Sequence, residues 1–323
     1  MGGEQDALRL TKVVTVHAMS TQASARLSPA TVLLLTIPPL MWAGNVVVGR
    51  MLSPHISPVT LNFIRWGLAF LILLPLAWRV VLPGSGLWAS WKRFTLLGLL
   101  VGCYNALQYM ALETSSPLNI TLVASSSPIW MMAIGRLFFA APISRRQGLG
   151  AVLSMLGVAL VLSRGELDAL LNLRLVVGDV YILIATLSWA YYSWMLTQKN
   201  QEPAHIRNDW SAFLLSQIVF GMGWAGVFAA GEWAADRAFV HWSWPTAAGI
   251  LFVALGPALL AYRCWGAGVQ RAGPAIASFF SNLTPLFAAL GSLALLGEMP
   301  QFFHVLAFAF IVGGIVVSSK RSK

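Results

Sequence analysis

Residues 117–128 read Pro-Leu-Asn-Ile-Thr-Leu-Val-Ala-Ser-Ser-Ser-Pro, and residues 274–285 read Pro-Ala-Ile-Ala-Ser-Phe-Phe-Ser-Asn-Leu-Thr-Pro. A shift of 157 residues lays the second stretch on the first, proline on proline at both ends. The same shift carries Leu149 onto Leu306 and Gly157 onto Gly314. A shift of 147 carries Leu40 onto Leu187 and Trp42-Ala43 onto Trp189-Ala190. A longer connection in the second half absorbs the difference between the two shifts. The chain therefore reads as an internal duplication.

Working outward from the two stretches, apolar runs bounded by charged or Pro/Gly-rich residues predict ten helices. They fall near 30–50, 58–80, 93–112, 117–140, 146–163, 176–198, 209–230, 245–269, 273–297 and 300–318. Of 323 residues, 58% are apolar and only 10% charged, against roughly 25% charged in an average soluble domain. Ten crossings of about 20 residues each need roughly 200 residues, which leaves room for short connections and tails but no second folded domain. A soluble enzyme, a disordered tail protein and a single-span receptor with a large ectodomain are excluded. The fold class is an all-α polytopic membrane protein in which ten transmembrane helices form two five-helix repeats, 30–163 and 176–318. Tails occupy 1–29 and 319–323. An odd number of crossings per copy inverts the second repeat relative to the first.

The net charge of +10 resembles that of a nucleic-acid binder, but the positive residues lie between apolar stretches rather than on one face in water, so no nucleic acid is expected. Their value is in orientation. With a cytoplasmic N-terminus, 14 of the 21 Lys and Arg residues fall on inner segments and four, Arg50, Arg164, Arg174 and Arg237, on outer ones. The excess predicts both termini in the cytoplasm of a cell whose inner membrane holds the protein. Residues 1–29 carry Glu4, Asp6, Arg9, Lys12 and Arg26 without a sustained apolar core, unlike a signal peptide; Met19 offers a second start site. Cys103 and Cys264 both fall inside apolar runs and predict neither a disulfide framework nor a metal site.

The junction after the fourth helix carries Pro142, Ile143, Ser144, Gln147 and Gly150, then Gly157. Its second copy carries Leu296-Gly297-Glu298-Met299-Pro300, then His304, Ala307 and Gly313-Gly314. With the two five-span halves, these motifs resemble the EamA-type permeases of the drug/metabolite transporter superfamily over residues 30–318. The resemblance implies movement of small metabolites, often outward, and includes exporters of aromatic amino acids. Glu298 matches the family's acidic residue at the end of the ninth span. Ala141, His304 and Ala307 depart from the pattern at scaffold positions.

Candidate substrate-binding residues are polar or aromatic groups at membrane depth. Ser125 and Asn282 are repeat equivalents just ahead of Pro128 and Pro285. Matching breaks in two halves point to a midplane site, although hydroxyls there also serve to satisfy freed carbonyls. Spans one and six supply Trp42 with Asn45 and Trp189 with Tyr192; spans three and eight supply Asn105 with Gln108 and Tyr262 with Trp265. Amides from one half facing aromatic rings from the other suit a small amphiphile with a polar end and a flat or apolar end. Pro38, Pro39 and Pro257 are further breaks, read as hinges or static kinks.

Charges inside the spans are the expensive features. Arg136 is expected to snorkel, Arg263 either to snorkel or to meet a carboxylate, and Arg65 needs a buried partner such as a backbone carbonyl. No pair of cations marks a phosphate site. No acidic residue falls in the middle of a predicted helix, which disfavours a proton-driven exporter of organic cations, the alternative reading. The sequence is thus read as a secondary transporter of small neutral or zwitterionic metabolites, foremost amino acids with aromatic or bulky apolar side chains. Its partners are a small-molecule substrate and the lipid bilayer, with no catalytic residue and no cofactor.

Overall fold

In the computed structural model, residues 27–166, 168, 171, 174–198, 200–296 and 301–320 are described. Among them no β-strand forms beyond one isolated antiparallel bridge between Ile56 and Val240. The chain begins with helix α1 (Pro29–Leu52), α2 (Pro58–Ala77) and α3 (Trp91–Thr114). Next come α4 (Pro117–Ser125), α5 (Ser127–Phe138) and α6 (Arg145–Ser163). The second half runs through α7 (Val177–Met195), the short α8 (Ala204–Asn208), α9 (Trp210–Ala234), α10 (Trp244–Val253) and α11 (Ala261–Ala272). It closes with α12 (Pro274–Ser281), α13 (Leu283–Leu296) and α14 (Phe302–Ser319).

The helix starts follow from local chemistry. Three begin with Ser-Pro, at Ser28-Pro29, Ser57-Pro58 and Ser116-Pro117. Proline at the first helical position lacks only a donor that would be orphaned there, and a preceding serine caps the donors that remain. Ser28 and Ser116 accept from the backbone N–H of Thr31 and Asn119, each at 3.2 Å. At the start of α9, the Asp209 carboxylate accepts from Ser211 Oγ and the Ser211 and Ala212 N–H groups. The Ser211 hydroxyl is the main cause that holds this carboxyl below its ordinary range.

Seven helical segments among the described residues are long and apolar enough to cross a membrane: Pro29–Leu52, Pro58–Val81, Arg145–Ser163, Trp210–Ala234, Trp244–Ala272, Pro274–Gly291 and Phe302–Ser319. The pair Asn119–Ser125 and Ser127–Phe138, bent by 41°, makes an eighth if read as one broken span. The protein is therefore a multi-pass membrane protein. The two other predicted spans are helical as well, in α3 and α7.

Some predicted boundaries shift. The seventh helix continues to Ala234, and the segment after it folds back so that Val240 pairs with Ile56. The eighth is divided by a π-helical segment, Ala254–Leu260, around Pro257. A proline removes an α-helical donor, and the wider turn absorbs the fault. Pro38 and Pro39, by contrast, lie buried inside an uninterrupted α1. Glu298 lies outside the described residues.

Packing joins the two halves helix by helix: α6 with α14, α3 with α7, α2 with α9, and α1 with α11 and α13. At the α6–α14 contact a Cβ on Gly150 would come within 2.7 Å of the Gly314 carbonyl oxygen, and one on Gly157 within 2.8 Å of that of Ala307. Numbers rise on one helix as they fall on the other, so the helices are antiparallel. Under the 157-residue shift Gly150 is equivalent to Ala307 and Gly157 to Gly314. Each contact is thus the reciprocal of the other, the signature of a two-fold axis. Small residues let these backbones touch, as they do between membrane helices generally.

The motif ahead of α6 has a physical role too. Ser144 Oγ accepts from the Gln147 N–H at 3.2 Å, and Gln147 Oε1 accepts from the Ser144 N–H at 2.9 Å, a reciprocal cap. At the equivalent turn of α14 the Gln301 N–H donates to His304 Nδ1 at 3.1 Å. His304 therefore does the work of the missing glutamine, which explains that departure from the family pattern.

Candidate substrate site

Trp189 of α7 is the hub of an aromatic cluster. Its ring centroid lies 5.3 Å from those of Trp42, Tyr104, Tyr192 and Trp265, and 5.8 Å from that of Tyr262. Trp66 meets Tyr262 edge to face at 5.2 Å. The predicted residues Trp42, Trp189, Tyr192, Tyr262 and Trp265 thus come together from α1, α7 and α11, with Tyr104 and Trp66 added by the structure. Trp42 and Trp189, equivalents under the 147-residue shift, meet edge to face with their planes 84° apart.

Polar edges fix the rings. Trp265, fully buried, donates from Nε1 to Ser193 Oγ at 3.2 Å. The Tyr192 hydroxyl donates to Gln217 Oε1 at 2.8 Å, and Gln217 Nε2 to the Phe213 carbonyl. A buried indole or phenol needs such a partner, and each bond holds its ring at one angle.

Beside the cluster a narrow cavity of about 20 Å³, room for little more than a water molecule, lies between α2, α3, α9 and α11. Asn62 and Trp66 line it from α2, Val101 from α3, Gln217 and Met222 from α9 and Tyr262 from α11. Its walls are apolar apart from two amides and a phenol. Gly98 and Gly102, one turn apart on α3, make part of this wall: a Cβ on Gly98 would sit 2.7 Å from the Gly221 nitrogen, so α3 and α9 meet there by backbone.

The expected division, amides in one half and rings in the other, is corrected here. Trp42 and Trp66 bring first-half rings to the cluster, and Asn105 is turned away to a cation. Arg65 Nη2 donates to Asn62 Oδ1 at 2.7 Å and to Asn105 Oδ1 at 3.0 Å. A guanidinium at membrane depth recruits acceptors before a ligand can. Its partners are side-chain amides rather than the expected backbone carbonyl. Asn105 Nδ2 in turn donates to the Val101 carbonyl at 2.8 Å. Asn45 and Gln108 make no hydrogen bond among the described residues and do not line the cavity.

Ser125 and Asn282 are likewise engaged. Ser125 Oγ donates to the Thr121 carbonyl at 2.7 Å. Asn282 Nδ2 donates to the Ser125 carbonyl at 3.2 Å and to Ser154 Oγ at 2.8 Å, with the residue 1% exposed. These two lock the helix breaks together instead of lining the cavity. Pro128 and Pro285 sit just after those breaks, in the first turns of α5 and α13.

Three acids, Glu232, Asp179 and Glu202, hold helix ends and loops. Glu232 accepts from Ser57 Oγ, Thr60 Oγ1 and the Val59 and Thr60 N–H groups at the start of α2. Asp179 accepts from Ser115 Oγ, Asn119 Nδ2 and the Val176 N–H. Glu202 is clasped by Arg93 and Arg207. Arg263 lies over the Trp210 ring at 4.5 Å, and Arg136 is exposed. No group of His, Cys, Asp and Glu suited to a metal occurs among the described residues.

Sequence reasoning missed Asn62, Trp66, Tyr104 and Gln217. Their signal was present, since Asn62 and Gln217 are isolated amides in long apolar runs, and Asn62 precedes Arg65 by three positions, one helical turn.

A helical membrane protein with two like halves, an aromatic cluster at their junction and a largely apolar cavity beside it has the build of a small-molecule transporter. The chain belongs to the EamA-like transporter family, whose profile matches residues 29–163 and 176–320. It is similar to an uncharacterized transporter of Archaeoglobus fulgidus, 24% identical over 90% of this chain and 97% of that one. A probable amino-acid metabolite efflux pump of Salmonella typhimurium is 24% identical over 86% of this chain and 91% of its own. The protein PecM of Dickeya dadantii is 24% identical over 86% and 89%. A crystal structure 16% identical in sequence superposes with a TM-score of 0.73, covering 90% of this chain and 98% of that one; it shares the fold. The family is one of transporters, and the Archaeoglobus and Salmonella relatives are named a transporter and an efflux pump, not enzymes.

Proposed function

We propose that this protein is a secondary transporter that moves small neutral or zwitterionic metabolites, foremost amino acids with aromatic or bulky apolar side chains, by alternating access between its two repeats. The observation that carries the reading is the aromatic cluster around Trp189, beside a cavity with only two amides and a phenol as polar lining. Ring faces take a flat apolar group, and the few polar groups orient its other end. The similarity to an amino-acid metabolite efflux pump supports the same substrate class and an outward direction. In this reading the chain crosses the inner membrane ten times, as inverted repeats over 30–163 and 176–318, with both termini cytoplasmic. The antiparallel, reciprocal packing of α6 and α14 supports the inversion, and the placement of Lys and Arg supports the orientation.

The test is counterflow of labelled phenylalanine, leucine and a broad amino-acid panel in proteoliposomes. Wild type should exchange the aromatic and bulky substrates, and Trp42→Ala should lower exchange about tenfold by removing one ring of the cluster, an aromatic contact of about 1.4 kcal/mol. Failure of the whole panel would sink the reading.

A further inference from the structure

Arg65 is 5% exposed and stands in α2 between Asn62 and Trp66, which both line the cavity. Seven residues in from Pro58, it lies about 10 Å along the helix at 1.5 Å per residue. Its guanidinium offers five donors. Among the described residues only Nη2 is used, toward Asn62 and Asn105. Nε is enclosed without a partner, and Nη1 makes no hydrogen bond among the described residues. No carboxylate among them lies within ion-pair distance. The Trp66 ring, 5.1 Å from Cζ, adds a face but no countercharge.

Two amide oxygens solvate a cation without neutralising it. A buried monopole with unused donors is costly, and the site it flanks is the one already assigned to substrate. We infer that Arg65 is the anchor for a substrate carboxylate: the anion takes the free guanidinium donors while Asn62 and Asn105 hold the group in place, and the rings of Trp66 and Tyr262 receive the apolar end. A single guanidinium matches a single negative charge, and its planar fork fits a carboxylate in bidentate fashion. The inference rests on the transport reading and narrows it, from neutral or zwitterionic solutes to solutes that bear a carboxylate. Asn62 is then a positioning residue that links the cavity to the cation.

The experiment compares 3-phenylpropanoate, its neutral isostere 3-phenylpropanamide and phenethylamine as stabilisers of the purified full chain in detergent, read as shifts in thermal unfolding. The acid should bind at least about tenfold more tightly than the amide, the scale of one charge-assisted hydrogen bond, and the amine should bind no better than the amide. Arg65→Gln should remove the preference, and Arg65→Lys should keep part of it through the retained charge. If Arg65→Gln does not fold, the wild-type comparison and Arg65→Lys decide. Equal binding of acid and amide, no stabilisation by the acid, or a preference that survives Arg65→Gln overturns the anchor. Counterflow separates the two readings. Acid-selective binding without amino-acid exchange keeps the anchor and removes amino acids as cargo, whereas exchange with equal binding of acid and amide does the reverse.

Discussion

Asn282 shows how one side chain serves two copies of a repeat. Both hydrogens of its amide are engaged across the interface, on the Ser125 carbonyl and on Ser154 Oγ. Hydrogen bonds between membrane helices contribute about 0.6 kcal/mol on average, and leaving buried acceptors unmet adds to the cost of losing them. Asn282→Ala should therefore destabilise the protein by about 1–2 kcal/mol, seen as a lower unfolding temperature in detergent. Ser154→Ala on top of it should add less than it does alone, since the two share a bond; strict additivity would disprove the link. The repeat alignment made Ser125 and Asn282 equivalents, and that was legible. That they would bond to each other was not, because helical spacing gives the face of a residue but not the helix it meets. Arg65 was legible as a problem, a charge in an apolar helix, while its solution in Asn62 and Asn105 depends on tertiary packing.

At the scale of elements, the helix starts have plain local causes in the sequence. Ser-Pro pairs fixed the starts of α1, α2 and α4, and the Ser144–Gln147 cap fixed that of α6. Interior irregularities were less legible: proline marks both the π-helical turn at Pro257 and the unbroken helix at Pro38-Pro39, and the neighbours decide between them. The α6–α14 contact offers a sharp test. A side chain on Gly150 has no space before the Gly314 carbonyl. Gly150→Val should push the helices apart at a cost of about 1–3 kcal/mol, whereas Leu149→Val beside it, on the exposed face, should change the unfolding temperature little. Equal effects at the two positions would contradict backbone-to-backbone packing.

For the molecule as a whole, the scarcity of charge was the most legible property, and the structure gives the acids their reason. Glu232 and Asp179 satisfy helix starts, and Glu202 binds two arginines between α3 and the segment ahead of α9. The orientation read from Lys and Arg predicts that, with Cys103 and Cys264 replaced by Ala, a cysteine at Gln201 reacts with a membrane-impermeant maleimide only from the cytoplasmic side. One at Arg237 should react only from the outside; labelling of intact cells against inverted vesicles measures both, and the opposite pattern would reverse the topology. The reciprocal contacts at Gly150–Gly314, Trp42–Trp189 and Ser125–Asn282 carry one more consequence. In a homodimer of one five-helix unit, a residue on the symmetry axis meets its own copy and must be complementary to itself. Joining two units in a single chain lifts that demand, so one copy can become the donor and the other the acceptor. At the axis Asn282 donates to the backbone carbonyl of its equivalent, Ser125, whose own hydroxyl turns to Thr121, an unequal division of roles that exact symmetry between identical subunits does not allow.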